Sequence, residues 1–464
     1  LAEKYNNVLY HRHQYARIEI FKNHFYIKEY DENVYEIIYK LKKYAESGIK
    51  NYTHSVDLWM KNSGLIIDCD EKKNALRNLF KNSKVAFIYG AAGTGKSTMI
   101  NYISSLFKDK QKIFLANTNP AAEFVTITKF LSKDVSNDCD ILCLDECSTI
   151  SNRDMVRVLQ RAQCKLLVLV GDIYQIESIL FGNWFNIAYK VMPKDSVAEL
   201  TRPHRTTVQG LIEVWNKVRE ITEDRLEFIT RNGLSSTLDE SIFSRTEEDE
   251  IVLCLNYDGI YGINNINKFL QSNNVNPSIN WGVLSYKVGD PVLFNESNRF
   301  APLVYNNLKG KILQIEEEED CIYFTIEVYT VLNELDVIGF DLELKESVTD
   351  ETSVIRFKVG RGGDGNDDND NVENVVPFQV AYAISIHKAQ GLEYESVKVV
   401  ITSEIEEMVS HNIFYTAITR AKSKLKIYWS PETEKRILEN MKVQFNDKDY
   451  QLFKAKYKEA LLKS

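Results

Sequence analysis

From Lys84 onward the chain alternates short apolar runs with longer polar stretches patterned for helices. Val85–Tyr89, Ile113–Ala116, Ile141–Leu144 and Leu166–Val170 are apolar at consecutive positions, as the strands of a parallel sheet covered by helices are. With helix-like segments between them they predict a βαβ series. Ile251–Leu255, Val397–Ile401 and Leu425–Trp429 repeat the rhythm and predict a second unit of the same kind. Between the first and the later strands of that second set, from about Trp281 to Val376, short alternating strands such as Cys321–Val328 predict a small inserted β-domain. Near the start, Tyr35, Ile38, Leu41 and Tyr44 recur at helical spacing. The expected architecture is α/β. It has a helical N-terminal accessory region (1–64), a first α/β domain (65–203) and a second one (204–280 and 377–430). An inserted β-domain (281–376) interrupts the second, and a helical tail (431–464) ends the chain.

Composition narrows the class. A chain of 464 residues fits two to four domains. With 44% hydrophobic and 27% charged residues it is not a disordered chain. Its 57 basic and 66 acidic residues leave a net charge of −9, which argues against a general basic coat for nucleic acid but allows a local basic groove. No apolar run approaches the ~20 residues that cross a bilayer, so no membrane partner is expected. Seven cysteines, an odd and sparse count, favour a reducing interior, and a cytoplasmic (intracellular) location is expected. The chain starts at Leu1 without a signal-peptide pattern, so further domains or protein partners upstream of residue 1 are also expected. The acidic runs Glu316–Asp320 and Gly362–Asn374 read as solvated loops. Cys139, Cys143 and Cys147 stand four residues apart, but Cys143 lies inside a buried strand, where a thiol acts as a small hydrophobe rather than a metal ligand.

The chemistry begins at Gly90–Ser97, GAAGTGKS, between the strand Val85–Tyr89 and a helix-like stretch. This is G-x-x-x-x-G-K-[ST] in the context it needs. Its glycines let backbone N–H groups point at phosphate oxygens, and the helix end adds positive potential. Gly90, Ala91, Ala92, Gly93, Thr94, Gly95, Lys96, Ser97 and Thr98 are therefore candidates for holding a nucleoside triphosphate. Lys96 would neutralise the β/γ-phosphates and Ser97 would ligate Mg²⁺. Asp145 and Glu146 end the strand Ile141–Leu144. One carboxylate there can hold Mg²⁺, partly through water, while its neighbour polarises the attacking water. Leu166–Val170 runs into Gly171–Gln175, where Asp172 and Gln175 supply a geometry that can sense the γ-phosphate.

The order of motifs resembles superfamily 1 helicases, in particular the RecD-like/Dda-like branch with its UvrD/RecD-type C-terminal domain, over roughly Leu65–Trp429. LANTNPAA (Leu115–Ala122) is similar to motif Ia, and TITKFL (Thr126–Leu131) to the element that follows it. LDEC (Leu144–Cys147) is similar to motif II, and GDIYQ (Gly171–Gln175) with Gly182 and Phe185 to motif III. ELTRPHR (Glu199–Arg205) resembles motif IV, SIHKAQGLEY (Ser385–Tyr394) motif V, and YTAITRAK (Tyr415–Lys422) motif VI. The resemblance implies two RecA-like P-loop domains, with the insert 281–376 as a small β-barrel along the nucleic-acid path. YKVGDPVLF (Tyr286–Phe294) and YNNLKGKILQI (Tyr305–Ile315) resemble that barrel. It further implies ATP and Mg²⁺ as cofactors, Lys96, Glu146 and Gln175 as catalytic groups, and Arg205 and Arg420 as arginines reaching the γ-phosphate from the second domain. Gly391 and Glu393 fall in the motif V stretch and are taken as further nucleotide contacts. Contacts to a single strand, DNA ahead of RNA, are assigned to Asn117, Thr118, Thr126, Asn264 and His387, with Asn267 as a further polar position. The implied activity is ATP-driven 5′→3′ translocation with duplex unwinding. Protein displacement without unwinding, an RNA track, or a nucleic-acid-sensing regulatory ATPase are the other readings, whereas a P-loop kinase needs no Arg205/Arg420 pair.

Three departures bear on mechanism. Lys72 stands where the branch carries its adenine-reading glutamine, which points to relaxed nucleotide selectivity. Motif III continues as Ile176-Glu177-Ser178-Ile179 in place of L-P-P-V. Only Ser132–Asp140 separates TITKFL from the motif II strand, leaving no room for the β-hairpin pin with which the branch splits duplexes.

Overall fold

The computed structural model describes residues 1–116, 124–132, 136–176, 178, 180–295, 299–301, 303–361, 374–442 and 447–457. The chain folds as two compact units. Of the described residues, one unit comprises 1–116, 124–207, Lys442 and 447–457, and the other those of Val208–Met441.

The first unit is built on a six-stranded parallel sheet. Its order is Phe124–Thr126, Lys112–Ala116, Asp138–Leu144, Gln163–Gly171, Val85–Gly90 and Val197–Leu200. Side chains alternate between two buried faces, which is why the strands read as unbroken apolar runs. Ala86, Ile88, Cys143 and Val168 pack with Met99, Ile100 and Ile103 of the helix Lys96–Leu106. Val85, Phe87, Leu142 and Leu169 pack on the other face with the helices Lys28–Ala45, Asn152–Arg161 and Trp184–Val191.

Both ends of the chain join this second face. Val34, Ile37, Ile38 and Leu41 enter the same core as the strand that precedes the P-loop, and so does Phe453 of the helix Asp447–Lys456. Tyr35 and Tyr44, expected on the helix face with Ile38 and Leu41, pack partly buried against that core. Residues 1–64 are not purely helical. Ile18–Phe21 and His24–Ile27 form an antiparallel hairpin in the register Ile18↔Ile27, Ile20↔Phe25. Four-residue strands are too short for period-two alternation to stand out in sequence.

The second unit has a five-stranded parallel sheet, in the order Ala383–Ser385, Glu250–Cys254, Tyr394–Val400, Ala421–Tyr428 and Ser235–Ser236. The chain thus carries two RecA-like parallel sheets flanked by helices. Between Glu250–Cys254 and Ala383–Ser385 the chain builds an antiparallel sheet with a core of its own. Its six strands run in the order Glu343–Lys345, Ser353–Gly360, Cys321–Val328, Lys309–Glu317, Pro291–Phe294 and Phe378–Val380. Phe294, Phe324, Phe357 and Phe378 meet inside it, with Phe324 and Phe378 ring centroids 4.9 Å apart. Among the described residues its end strands do not pair with each other, so the sheet is open there rather than closed as a barrel. Among the described residues no helix is long and apolar enough to cross a membrane.

Candidate nucleotide site

Three neighbouring strands of the first sheet, Asp138–Leu144, Gln163–Gly171 and Val85–Gly90, run parallel, so their C-terminal ends share one edge. That edge of an open α/β sheet is where ligands bind. The P-loop leaves the third strand and turns into the helix Lys96–Leu106 with Gly93 and Gly95 at φ of +73° and +80°. Only glycine takes these angles without strain, which sets the spacing of the motif. Space is equally restrictive: a Cβ on Gly93 would collide with Arg205, one on Gly95 with Lys72, and one on Gly90 with the Leu200 carbonyl. Thr94 is buried and donates its hydroxyl to the Ala91 carbonyl at 2.9 Å, bracing the loop.

Lys96 Nζ donates to the carbonyls of Gly90 and Ala91, each at 2.9 Å, and lies 4.0 Å from Asp172 Oδ2. Ser97 Oγ donates to Asp145 Oδ2 at 3.2 Å, and the other Asp145 oxygen accepts from the Glu146 backbone N–H at 2.7 Å. Burial pushes the Asp145 carboxyl up, while the Glu146 N–H, the Lys96 charge and the Ser97 hydroxyl pull it down, and burial prevails. A buried carboxylate that holds charge poorly without a cation, beside a hydroxyl, is a hard-oxygen donor pair that fits Mg²⁺. Glu146 sits at φ +49°, a left-handed conformation unusual for a non-glycine residue and of the kind found at catalytic positions. Gln175 is buried at the same edge, its N–H donating to the Asp172 carbonyl at 3.4 Å.

Two neighbours extend this cluster. His204 N–H donates to the Gly93 carbonyl at 2.6 Å, so the segment carrying Arg205 is tied to the P-loop. The expected division at residue 204 falls after Thr207, and Arg205 therefore belongs to the first unit and not to the second. Lys72 is fully buried beside Gly95 and pairs with Asp68 at 2.5 Å, while His204 Nε2 lies 3.6 Å from the same Asp68 oxygen. Asp68, Cys69 and His204 are close enough to share an ion, but Lys72 already occupies the carboxylate. Asp172, expected with Gln175 to sense the γ-phosphate, is 2% exposed and faces Lys96.

In the second unit Arg420 is 1% exposed and donates from Nε to the Thr416 carbonyl at 3.0 Å and from Nη1 to the Leu392 carbonyl at 3.1 Å. Tyr394 N–H donates back to the Arg420 carbonyl at 3.0 Å, so the motif V and motif VI stretches are stapled together. Gly391 takes φ +79°, and Glu393 pairs with Lys422 at 2.9 Å. Lys309 of the antiparallel sheet is largely buried against these residues, donating to Asp249 at 2.6 Å and to the Glu393 carbonyl at 3.1 Å.

Of the described residues expected to grip a strand, Thr126 belongs to the first unit and Asn264 and His387 to the second. Asn117 and Thr118 lie outside the described residues. Thr126 caps the helix Ile127–Leu131, accepting from Lys129 N–H at 3.2 Å. Asn264 is exposed at the start of the helix Ile263–Ser272 and donates to Asp258 at 3.2 Å. Asn267 is used up structurally, donating to the Ala383 carbonyl and accepting from the N–H groups of Tyr382 and Ala383. His387 is exposed just past the strand Ala383–Ser385.

An AAA-domain family profile matches residues 69–239, and that of the UvrD-like helicase C-terminal domain matches residues 380–428. The RecBCD enzyme subunit RecD of Buchnera aphidicola is 22% identical over 82% of this chain and 56% of its own length. The ATP-dependent DNA helicase Pif1 of Campylobacter jejuni is 23% identical over 74% of this chain and 88% of its own length. The chain is thus similar to RecD and Pif1 helicases along most of its length. Among solved structures, Bacteroides Pif1 in complex with ADP-AlF3 and ssDNA superposes with a TM-score of 0.52 at 16% identity, covering 85% of this chain and 98% of that one. Candida albicans Pif1 gives 0.51 at 18% identity, over 81% and 99%. An uncharacterised Methanocaldococcus jannaschii protein, 23% identical over 77% of this chain, is matched over 37% of its length. The chain thus spans about half the length of the first curated relatives it matches, or less.

Proposed function

We propose that the chain is an ATP-driven helicase motor that moves 5′→3′ on single-stranded DNA. The observation that carries this reading is the convergence of Lys96, Ser97, Asp145, Glu146, Asp172 and Gln175 at the ends of three adjacent parallel strands. Lys96 neutralises the phosphates, Glu146 orients and deprotonates the attacking water, and Gln175 senses the γ-phosphate. Arg205, held against the P-loop by the His204–Gly93 bond, stabilises charge on the transferred phosphoryl group. Ser97 and Asp145 would hold Mg²⁺, which when bound supplies charge neutralisation at the phosphates. The two RecA-like folds and the relatives named helicases support motor action, and the neighbour solved with ssDNA supports the track.

Protein displacement without unwinding is the second reading. It rests on the shortness of the sequence between the helix Ile127–Leu131 and the strand Asp138–Leu144, where the resembled branch carries its pin hairpin. The test is steady-state ATP hydrolysis with no polymer, single-stranded DNA, single-stranded RNA and blunt duplex DNA, followed by unwinding of a forked duplex. Stimulation by single-stranded DNA with fork opening is expected. Equal rates in all four conditions overturn the motor, and stimulation without fork opening moves the chain to the second reading.

A further inference from the structure

The chain is acidic overall, yet residues 1–28 carry five Lys/Arg against two Glu and six of the aromatic residues. These side chains are not folded away. Tyr10 is 73% exposed, Phe25 68% and Ile20 59%, and Lys4, Arg12, Arg17 and Lys22 are exposed among them. The register explains the display. Ile18, Ile20, Phe25 and Ile27 share one hairpin face, because pairs Ile18↔Ile27 and Ile20↔Phe25 alternate with Glu19↔Tyr26. The Glu19 carboxylate is on the opposite face, where it accepts from Tyr26 Oη at 2.9 Å.

The inner end of that apolar face descends into a groove of about 400 Å³ in the first unit, walled by Tyr30, Phe181 and Phe453. Tyr30 and Phe181 stack there at 4.1 Å between centroids and 10° between planes. Exposed rings interleaved with cations fit a single strand: bases stack on the rings while Lys and Arg meet phosphates. Protein interfaces, by contrast, are depleted of Lys, whereas Lys4 and Lys22 stand exposed among these rings.

We propose that residues 1–28, led by Phe25 and Ile20 of the hairpin and by Tyr10, form a stacking surface for single-stranded nucleic acid. The inference rests on the motor reading and supplies a binding surface outside its motifs. Fluorescence anisotropy with a labelled oligothymidylate about 20 nucleotides long tests it. The combined Tyr10→Ala/Phe25→Ala variant binds at least about 10-fold more weakly, since each base stack removed is of that order. Its hydrolysis rate without polymer and its Tm stay at the wild-type values, and Phe25→Trp, which keeps a ring, binds like wild type. Arg12→Ala/Lys22→Ala flattens the salt dependence by about 0.7 in slope for each phosphate no longer neutralised. If wild type binds the strand and Tyr10→Ala/Phe25→Ala binds equally, the surface is refuted while the motor stands. A wild-type chain that binds no strand refutes both. Dimeric wild type made monomeric by Phe25→Ala, with affinity unchanged, also overturns the proposal and makes the patch an interface between copies.

Discussion

Asp68→Asn tests whether the buried lysine beside the P-loop works as an ion pair. Lys72 is 1% exposed and its ammonium donates to Asp68 at 2.5 Å, whereas the Asp68 side chain keeps 36% exposure. Removing one charge of a buried pair costs about 3–5 kcal/mol because the other is left uncompensated. Here water reaches Asp68, and the asparagine oxygen still accepts one hydrogen bond, so the expected loss falls to about 2 kcal/mol. The pair also has a pH signature. Burial raises the Asp68 carboxyl, but the Lys72 hydrogen bond and charge, with His204 behind them, outweigh it and hold the group below its ordinary value. A depressed folded value means stability that is present above the unfolded carboxylate range and is lost as pH falls through the folded value. Urea unfolding of wild type and Asp68→Asn should therefore differ by about 2 kcal/mol at neutral pH and converge in acid as Asp68 protonates. Because a Cβ on Gly95 would strike Lys72, loosening the pair should also reach the P-loop and raise KM for ATP. A difference under about 0.5 kcal/mol at neutral pH, or one unchanged in acid, would refute the reasoning.

Further expectations follow from the same geometry. Lys96→Ala should abolish ATP hydrolysis, and a normal steady-state rate in that variant overturns the phosphate assignment. Glu146→Gln should bind ATP as wild type does in a fluorescent-analogue titration while losing about 100-fold or more in kcat. Arg420→Ala should lower turnover, and because it empties a site 1% exposed and unpairs the Leu392 and Thr416 carbonyls, it should also cost about 2–4 kcal/mol in urea unfolding. Without a glutamine at position 72, kcat/KM for ATP, GTP and CTP should be comparable, and a strong preference for ATP would exclude that.

The nucleotide cluster was largely legible in the chain because its parts are local. Gly93 and Gly95 are demanded by positive φ, Lys96 and Ser97 follow in one helical turn, and Asp145 and Glu146 sit at the end of an apolar run. Parallel strands buried on both faces leave the strongest signal a sequence can carry, so both RecA-like sheets were legible from Val85, Ile141, Leu166 and Val397. The strand-gripping residues were less legible. Thr126 and Asn267 are spent on a helix cap and on backbone groups, roles that short polar side chains fill as readily as phosphate contacts.

By itself, then, the sequence determined the two α/β halves, the P-loop and the order of the motifs, since periodicity and backbone conformation are written residue by residue. Tertiary structure alone decided that Arg205 lies with the first unit, that Lys72 is buried against Asp68 beside Gly95, and that Lys309 reaches the Glu393 carbonyl. It also decided that the helix Lys28–Ala45 and the helix Asp447–Lys456 close the same core. The physical reason is the same in each case. Burial and pairing between residues as far apart as Val34 and Phe453 depend on which faces the folded chain brings together, and no local pattern records that choice.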